Sequence, residues 1–324
     1  MLEFSHLKSF TCSDAPAVSH LFKLVYGENY VYPEVYQSDT FCTNHANKTW
    51  ESVLAISTDE QIIGHGLLWT HPHCPHIPEM GLFVVHPDAR NLGLAKKISL
   101  ELIEIAKKNG VVGIGTKQVC NHPFSQKLGK SLGFLNLSFW PDYISSPFVS
   151  DETRESILCA YLPLRTEPKK ILFLPDELIP NAESLTNGVD KIETIMSSTP
   201  TQLQAYATME VTQLETDITE LYLHNWGTDG AQKLATIDQE KLTFILVNAE
   251  LPANTLACEH LLLAGFSFMG LIPDRFDAWT WVFAKNFSLD AASYIIDERI
   301  NRLIKSVQEQ LSINQIIQSI YEPA

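Results

Sequence analysis

The chain has 324 residues, 45% of them hydrophobic and 19% charged, which excludes a disordered protein and fits two domains better than one. A formal net charge of −15 repels phosphate backbones and argues against a nucleic-acid partner.

In chain order, Asp14–Tyr26 reads as a helix, and Gly27–Asp39, GENYVYPEVYQSD, as a loop with room for a short second helix. Ser52–Ile56 and Gln61–Trp69 read as strands around a turn at Thr58-Asp59, with a third strand at Glu79–Val85. Leu94, Ile98, Leu102 and Ile105 recur at helical spacing, and Lys107, Lys108 and Gly110 end that helix. Val111–Thr116 is a short strand, Pro123–Gly133 a helix, and Phe134–Phe139 and Ile157–Leu162 are strands. The sum is an α/β chain with a mixed sheet. Residues 166–200 carry Pro168, Pro175, Pro180 and Pro200 with little periodicity and read as a linker between domains.

Landmarks then return. Gly133-Phe134 precedes Pro141-Asp142, and Gly265-Phe266 precedes Pro273-Asp274 at the same spacing, while Cys120-Asn121 and Val247-Asn248 each close a strand. An internal repeat follows, in two tandem lobes: residues 1–165, a linker 166–200, a second lobe 201–287, and a terminal segment 288–324 with an amphipathic helix at Leu289–Leu311. Met1–His20 lacks a basic start with an apolar run, and the near-apolar run Leu261–Ile272 is too short to cross a bilayer, so a soluble, cytoplasmic protein with no membrane partner is expected. The six cysteines are scattered without a Cys-x-x-Cys pair, which fits reduced thiols better than a disulfide framework.

The segment VVHPDARNLGLAKK, Val84–Lys97, joins a strand to a helix and spaces Arg90, Gly93 and Ala95 as Arg-x-x-Gly-x-Ala. Such a loop aims successive backbone N–H groups and the positive end of a helix dipole at a pyrophosphate, with Gly93 allowing close approach. A plain strand-to-helix turn needing one glycine is the other reading. Neither a Gly-x-Gly-x-x-Gly nor a Gly-Lys-Ser/Thr loop is present.

With the preceding IPEMGLFVV, the later Asn121 and KSLGF, this segment resembles the GCN5-related N-acetyltransferase superfamily over residues 1–165. The resemblance implies an acyl-CoA N-acyltransferase-like fold and acetyl-CoA as donor. It implies that Arg90, Asn91, Leu92, Gly93, Leu94, Ala95 and Lys96 hold the pyrophosphate, that Phe83, Val84 and Val85 pair with the pantetheine arm, and that Asn121 and Ser125 lie on the cofactor. It implies acetyl transfer to a primary amine of a small molecule or peptide. Residues 201–287 resemble the C-terminal half of the same fold without the Arg-x-x-Gly-x-Ala loop, hence a degenerate lobe; NWGTDGAQK, Asn225–Lys233, is the nearest substitute, and Glu250 stands near the expected strand end. A non-catalytic acetyl-CoA sensor, or a fold used for interaction through a homodimer, is the competing reading.

The stretch THPHCPH, Thr70–His76, then becomes the hairpin between two strands. Its His71, His73, Cys74 and His76 have zinc-ligand chemistry, but three prolines stiffen the run and this chemistry needs no metal, so none is expected. Acetyl transfer needs a base for the amine, donors for the developing oxyanion and a proton for the leaving thiolate. Glu79 matches a family carboxylate six residues before Val85, or is a solvated strand-start residue; His86 has a suitable pKa, or is a turn residue before Pro87. Where the family carries a Tyr acid, this chain has Gly129, leaving water, Ser125 or another Tyr. Tyr26, Glu28, Tyr30, Tyr32 and Glu34 fit a cationic acceptor through charge and cation–π contacts, or form a loop packed by its own tyrosines.

Overall fold

The structure, a computed structural model, describes residues 2–72, 74–145, 154–200, 202–215, 218–237, 240–275, 278–289 and 294–321. The chain divides into two compact units, Met1–Leu135 with Tyr143–Arg165, and Asn136–Asp142 with Thr166–Ala324.

The first unit runs β1 (Phe4–Ser9), α1 (Ala15–Tyr26), α2 (Ser38–Ala46), β2 (Trp50–Ser57), β3 (Ile62–His71), β4 (Cys74–Val85), α3 (Leu94–Asn109), β5 (Gly113–Val119), α4 (Phe124–Leu132), then β6 (Leu135–Ser145) and β7 (Arg154–Pro163). Its sheet order is β1-β2-β3-β4-β5-β7, antiparallel except between β4 and β5. Val18, Leu21 and Phe22 fall at i, i+3 and i+4 on α1 and are fully or almost fully buried. With Phe41, Trp50 and Leu54 they form the core under α1 and α2. Leu94, Ile98, Leu102 and Ala106 of α3 make the core on the opposite face with Val53, Ile63 and Met80. Each of the larger apolar side chains so buried contributes about 1.5–3 kcal/mol.

The second unit holds residues 136–142 of β6, then β8 (Lys170–Phe173), α5 (Ile179–Thr186), β9 (Ile192–Met196), β10 (Thr208–Glu215), β11 (Ile218–Asn225), α6 (Gly230–Leu234), β12 (Leu242–Asn248), α7 (Asn254–Leu263), β13 (Ser267–Arg275), β14 (Ala278–Lys285) and α8 (Glu298–Tyr321). Its main sheet follows the order β6-β13-β14-β12-β11-β10, and β8 and β9 form a separate parallel pair. The succession β10-β11-α6-β12-α7-β13-β14 repeats β3-β4-α3-β5-α4-β6-β7. Gly270, with φ +113°, sits where a Cβ would strike Leu137 O and Ser138, its partner across the ladder.

One element has no counterpart in the sequence reading, and three expectations need correction. Phe4–Ser9 is a strand, paired from Phe4↔Ser57 to Ser9↔Val53, although FSHLKS has no apolar run to announce it. Residues 166–200 are not irregular: Pro180 sits in the first turn of α5, where a missing N–H costs nothing, and β8 and β9 are too short to show periodicity. Helix α8 begins at Glu298 rather than Leu289, while residues 290–293 lie outside the described set. Cys12 and Cys42 are joined in a disulfide with a Cα–Cα distance of 5.1 Å, because α2 folds back against the turn Cys12–Asp14 across 30 residues of chain; Cys74, Cys120, Cys159 and Cys258 are free thiols. Among the described residues no helix is long and apolar enough to cross a membrane.

Candidate active site

The site begins where two neighbouring strands part. Val112 N donates to His76 O at 3.0 Å, Glu79 pairs with Gly115, and the Thr116 hydroxyl donates to Met80 O at 2.9 Å. Among the described residues, no residue of β4 beyond Met80 has a register partner on β5. The edge of Gly81–Val85 turned away from β3 is thus left open to an added extended chain.

A bulge fixes that edge. The β3–β4 register shifts between His65↔Val84 and Leu67↔Gly81, and Leu82 adopts φ +50°. In a regular strand residues two apart share a face. Here Met80 lies in the α3 core and Leu82 in the opposite core, with Phe83 back against the α3 side and Val84 facing α1. His65, fully buried, places Nδ1 2.9 Å from Leu82 O, and the Tyr26 hydroxyl donates to Phe83 O at 3.4 Å.

Behind the bulge runs a chain of contacts, buried at His65 and Ser52 and part-buried at His45. His65 Nε2 lies 2.9 Å from Ser52 Oγ, Ser52 Oγ 2.9 Å from His45 Nε2, and His45 Nδ1 2.7 Å from Phe41 O. Carbonyl oxygens only accept, so both Nδ1 atoms carry hydrogen. Neutral His45, Ser52 and His65 then own three protons for these four contacts. A fourth would make an imidazolium, which burial opposes; burial pulls His65 down to about 3 and lowers His45 as well.

Beyond the strand the loop turns into α3. Asn91 at φ +69° and Gly93 at φ +70° are both left-handed, a conformation free of strain only for the glycine. A Cβ built on Gly93 meets nothing within 4 Å, so the space above it is open. The first α3 bond is Lys97 N to Gly93 O at 3.1 Å, and among the described residues no acceptor is found for the N–H groups of Asn91, Leu92, Gly93, Leu94, Ala95 or Lys96. Arg90 is exposed beside them. His86 is a turn cap, its Nδ1 accepting from Asp88 N at 3.1 Å. Asn121 is exposed ahead of α4, and Ser125 in the first turn of α4 has a buried hydroxyl with no partner.

Glu79 is not a solvated strand start. Its Oε2 lies 3.1 Å from Lys117 Nζ and 3.4 Å from His71 Nε2, the latter too poorly aligned for a hydrogen bond. Burial alone would lift the carboxyl, but the Lys117 charge and then His71 outweigh it and hold Glu79 down at about 2. Lys117 loses solvation by burial, yet Glu79 foremost holds it well above the ordinary lysine range. The hairpin before Glu79 is tighter than expected: β3 ends at His71, β4 begins at Cys74, and these two residues pair, so Cys74, Pro75 and His76 are strand residues. His73 lies outside the described residues.

Tyrosines wall this end. Tyr26 and Tyr30 rings are 4.7 Å apart, Tyr30 and Tyr32 6.2 Å, and Tyr32 meets Trp69 edge-on at 5.3 Å. Burial raises the Tyr26 and Tyr30 phenols. Glu28 is bound outward to Lys23 at 2.9 Å, and Glu34 keeps one buried carboxylate oxygen without a partner. A Cβ built on Gly129 would strike the side-chain amide of Gln118 on β5, whose Oε1 is buried and unpartnered. Lys117, Gln118, His65, Ser52 and His45 escaped the sequence reading. A lysine and a glutamine inside the short apolar strand GIGTKQV were the available signal.

Among the described residues, the second unit lacks each opening. β11 and β12 pair without a break from Ile218↔Leu242 to Leu223↔Val247. Asn254, fully buried, donates from Nδ2 to His224 O at 3.1 Å and Asn248 O at 2.8 Å, and accepts from Trp226 N at 2.7 Å. Helix α6 has five residues, with Asp229 at its start accepting from Ala207 N at 2.6 Å. Glu250 is tied to Lys170 Nζ at 2.7 Å and Trp279 N at 3.1 Å.

A mixed sheet with a parted parallel strand pair, a bulge and an open cradle at a helix start defines an acyl-CoA N-acyltransferase-like fold. Residues 16–134, within the first unit, match the family model described as Acetyltransferase (GNAT) family, and this part of the chain is similar to that superfamily. Similar solved structures include the ribosomal-protein-S18-alanine N-acetyltransferase of Escherichia coli, at 18% identity and TM-score 0.41, with 50% of this chain and 95% of that one covered. A phosphinothricin acetyltransferase of Sinorhizobium meliloti in complex with AcCoA aligns at 18% identity and TM-score 0.43, covering 51% and 92%. A ribosomal-protein-alanine N-acetyltransferase of Brucella melitensis aligns at 17% and 0.44, covering 49% and 100%. No curated protein matches the chain.

Proposed function

We propose that the first unit transfers the acetyl group of acetyl-CoA directly to a primary amine of a small molecule or peptide. The observation that carries this is the cradle: six consecutive N–H groups without acceptors among the described residues, at the start of a sixteen-residue helix, around a glycine with open space above it. The donor supplies an activated acyl group as a thioester. Asn91 to Lys96 would hold its pyrophosphate with Arg90 alongside, the free edge of Phe83–Val85 would take its extended arm, and the unpartnered hydroxyl of Ser125 fits a polar atom of the same ligand. Glu79 is the candidate proton acceptor for the amine. The leaving sulfur is left to water or Ser125, since Gly129 brings no phenol; a thiol pKa near that of cysteine, about 8.5, makes that departure tolerable.

Calorimetry with acetyl-CoA tests the cradle. Wild type should bind and Gly93→Glu should not, because a carboxylate would enter the phosphate space and a non-glycine residue would be strained at φ +70°. Unchanged affinity in a folded variant sinks the assignment. Thiol release across an amine panel then separates an enzyme from a non-catalytic acetyl-CoA binder, a reading favoured by the Gln118-filled position at Gly129.

A further inference from the structure

Lys117 and Glu79 stand side by side on β5 and β4 at the place where the strands begin to part, and both remain within reach of solvent, with side chains 32% and 17% exposed. Around them are Tyr32, Trp69, His71 and Tyr143, whose ring centroid lies 5.8 Å from Lys117 Nζ. A purely cationic acceptor would find the carboxylate already neutralised and an ammonium beside it. A purely anionic one would meet Glu79. A molecule carrying both signs on neighbouring atoms can exchange partners with both ends of the pair at once, so that no partly buried charge is left unpaired.

We infer that the acceptor is an amino carboxylate of the α-amino acid type, its carboxylate on Lys117 and its amine at Glu79. This rests on the acetyl-transfer reading and narrows its substrate class. The 3.1 Å gap between Lys117 Nζ and Glu79 Oε2 suits an amine and a carboxylate separated by a single carbon. His71 Nε2, buried without a hydrogen-bond partner, stands 3.4 Å from the same carboxylate oxygen and is a second group for the incoming pair. Lys117 is the strongest influence holding Glu79 below the ordinary carboxylate range, against burial that pushes it up. The acceptor's ammonium takes over that pairing while its carboxylate shares Lys117, so the exchange keeps both partly buried charges partnered. The ammonium proton then passes to Glu79 and the nitrogen lone pair forms the bond to the acyl carbon. The carbon–sulfur bond breaks, the sulfur departs with that electron pair, and the second proton that the nitrogen sheds on becoming an amide goes, directly or through water, to the sulfur.

Thiol release should be compared for α-amino acids, their carboxamides and their decarboxylated amines. A charge-assisted contact to Lys117 should give the acids about a tenfold to hundredfold advantage in kcat/KM, mostly through KM. Lys117→Met should erase that advantage, so that acids and decarboxylated amines are used alike at whatever rate the altered Glu79 supports, and Lys117→Arg should retain part of it. Should Lys117→Met fail to fold, inhibition of wild type by N-acetyl amino acids but not by N-acetyl amino amides supports the same assignment. Equal use of acids and decarboxylated amines overturns the inference and leaves acetyl transfer standing. Thiol release from no amine at all, with acetyl-CoA bound, overturns both.

Discussion

Acidifying the protein tests the device that shapes β4. His65 is fully buried, donates to Leu82 O at the bulge, and is depressed by burial from 6.5 to about 3. Between those values the unfolded chain takes up a proton at this residue and the native chain does not, so native stability is complete above pH 6.5 and falls as pH drops through the window. A full proton difference is about 1.4 kcal/mol per pH unit, and since the unfolded imidazole is only half protonated at pH 6.5, His65 alone removes about 2 kcal/mol between pH 6.5 and 4.5. That interval lies above the one in which Glu79, lowered from 4.5 to about 2, begins to contribute in the same direction. His45, also lowered by burial, adds to the slope. The assay is urea unfolding at a series of pH values for wild type and His65→Asn, since the Asn amide can still donate from near the Nδ1 position but does not titrate. Groups common to both chains cancel in the comparison. The variant should be less stable at pH 7, having lost the Ser52 contact, and should show a shallower decline between pH 6.5 and 4.5. Parallel slopes, or a wild type indifferent to pH in that window, would refute the view that a neutral buried imidazole holds the bulge.

Glu79→Gln should lower turnover by roughly 10²–10⁴-fold with donor affinity nearly intact, because an amide cannot accept the amine's proton; a full rate at neutral pH would bring His86 forward. Cys12→Ser with Cys42→Ser should cost about 3–4 kcal/mol of stability, as expected for opening a 30-residue loop, and reductant should do the same to wild type. Melting curves that coincide with and without reductant would rule that out. Titration with acetyl-CoA should give one donor site per chain, and a stoichiometry of two would return the second unit to function.

What was legible in the sequence was what neighbouring residues decide together. Leu94, Ile98 and Leu102 show the face of α3, and Arg90, Gly93 and Ala95 show its start, because helix periodicity and a loop at a helix end are local properties. Lys117 was not legible as the partner of Glu79: they lie 38 positions apart and meet only because β4 and β5 run parallel with Glu79 opposite Gly115. The same holds for Ser52 between His45 and His65, three residues on three elements that share a function only after β2, β3 and α2 have packed. The disulfide was hidden for that reason too. The absent tyrosine could be read from Gly129, whereas the glutamine filling its place comes from another strand and could not.

The two units show how little separates an open site from a closed one in this arrangement. Both place a parallel strand pair beside a helix start, but in the first the bulge at Leu82 turns the strand's alternation over, and β4 leaves β5 after Met80. In the second, β12 follows β11 for six consecutive register pairs, and the Asn254 amide bonds a carbonyl at the end of each strand. An added chain there would have to displace ladder bonds already made and strand a buried amide, which costs about 1–3 kcal/mol for each group left unsatisfied. The helix start is taken as well: Asp229 occupies it with a carboxylate bonded to Ala207 N, held lowered by that bond first, and brings the wrong sign to a phosphate. Closing the wedge therefore needed no change of topology, only a regular ladder, one asparagine and one aspartate. The converse is that the edge in the first unit depends on the few groups that keep Leu82 out of register, and His65, 2.9 Å from Leu82 O, is one of them.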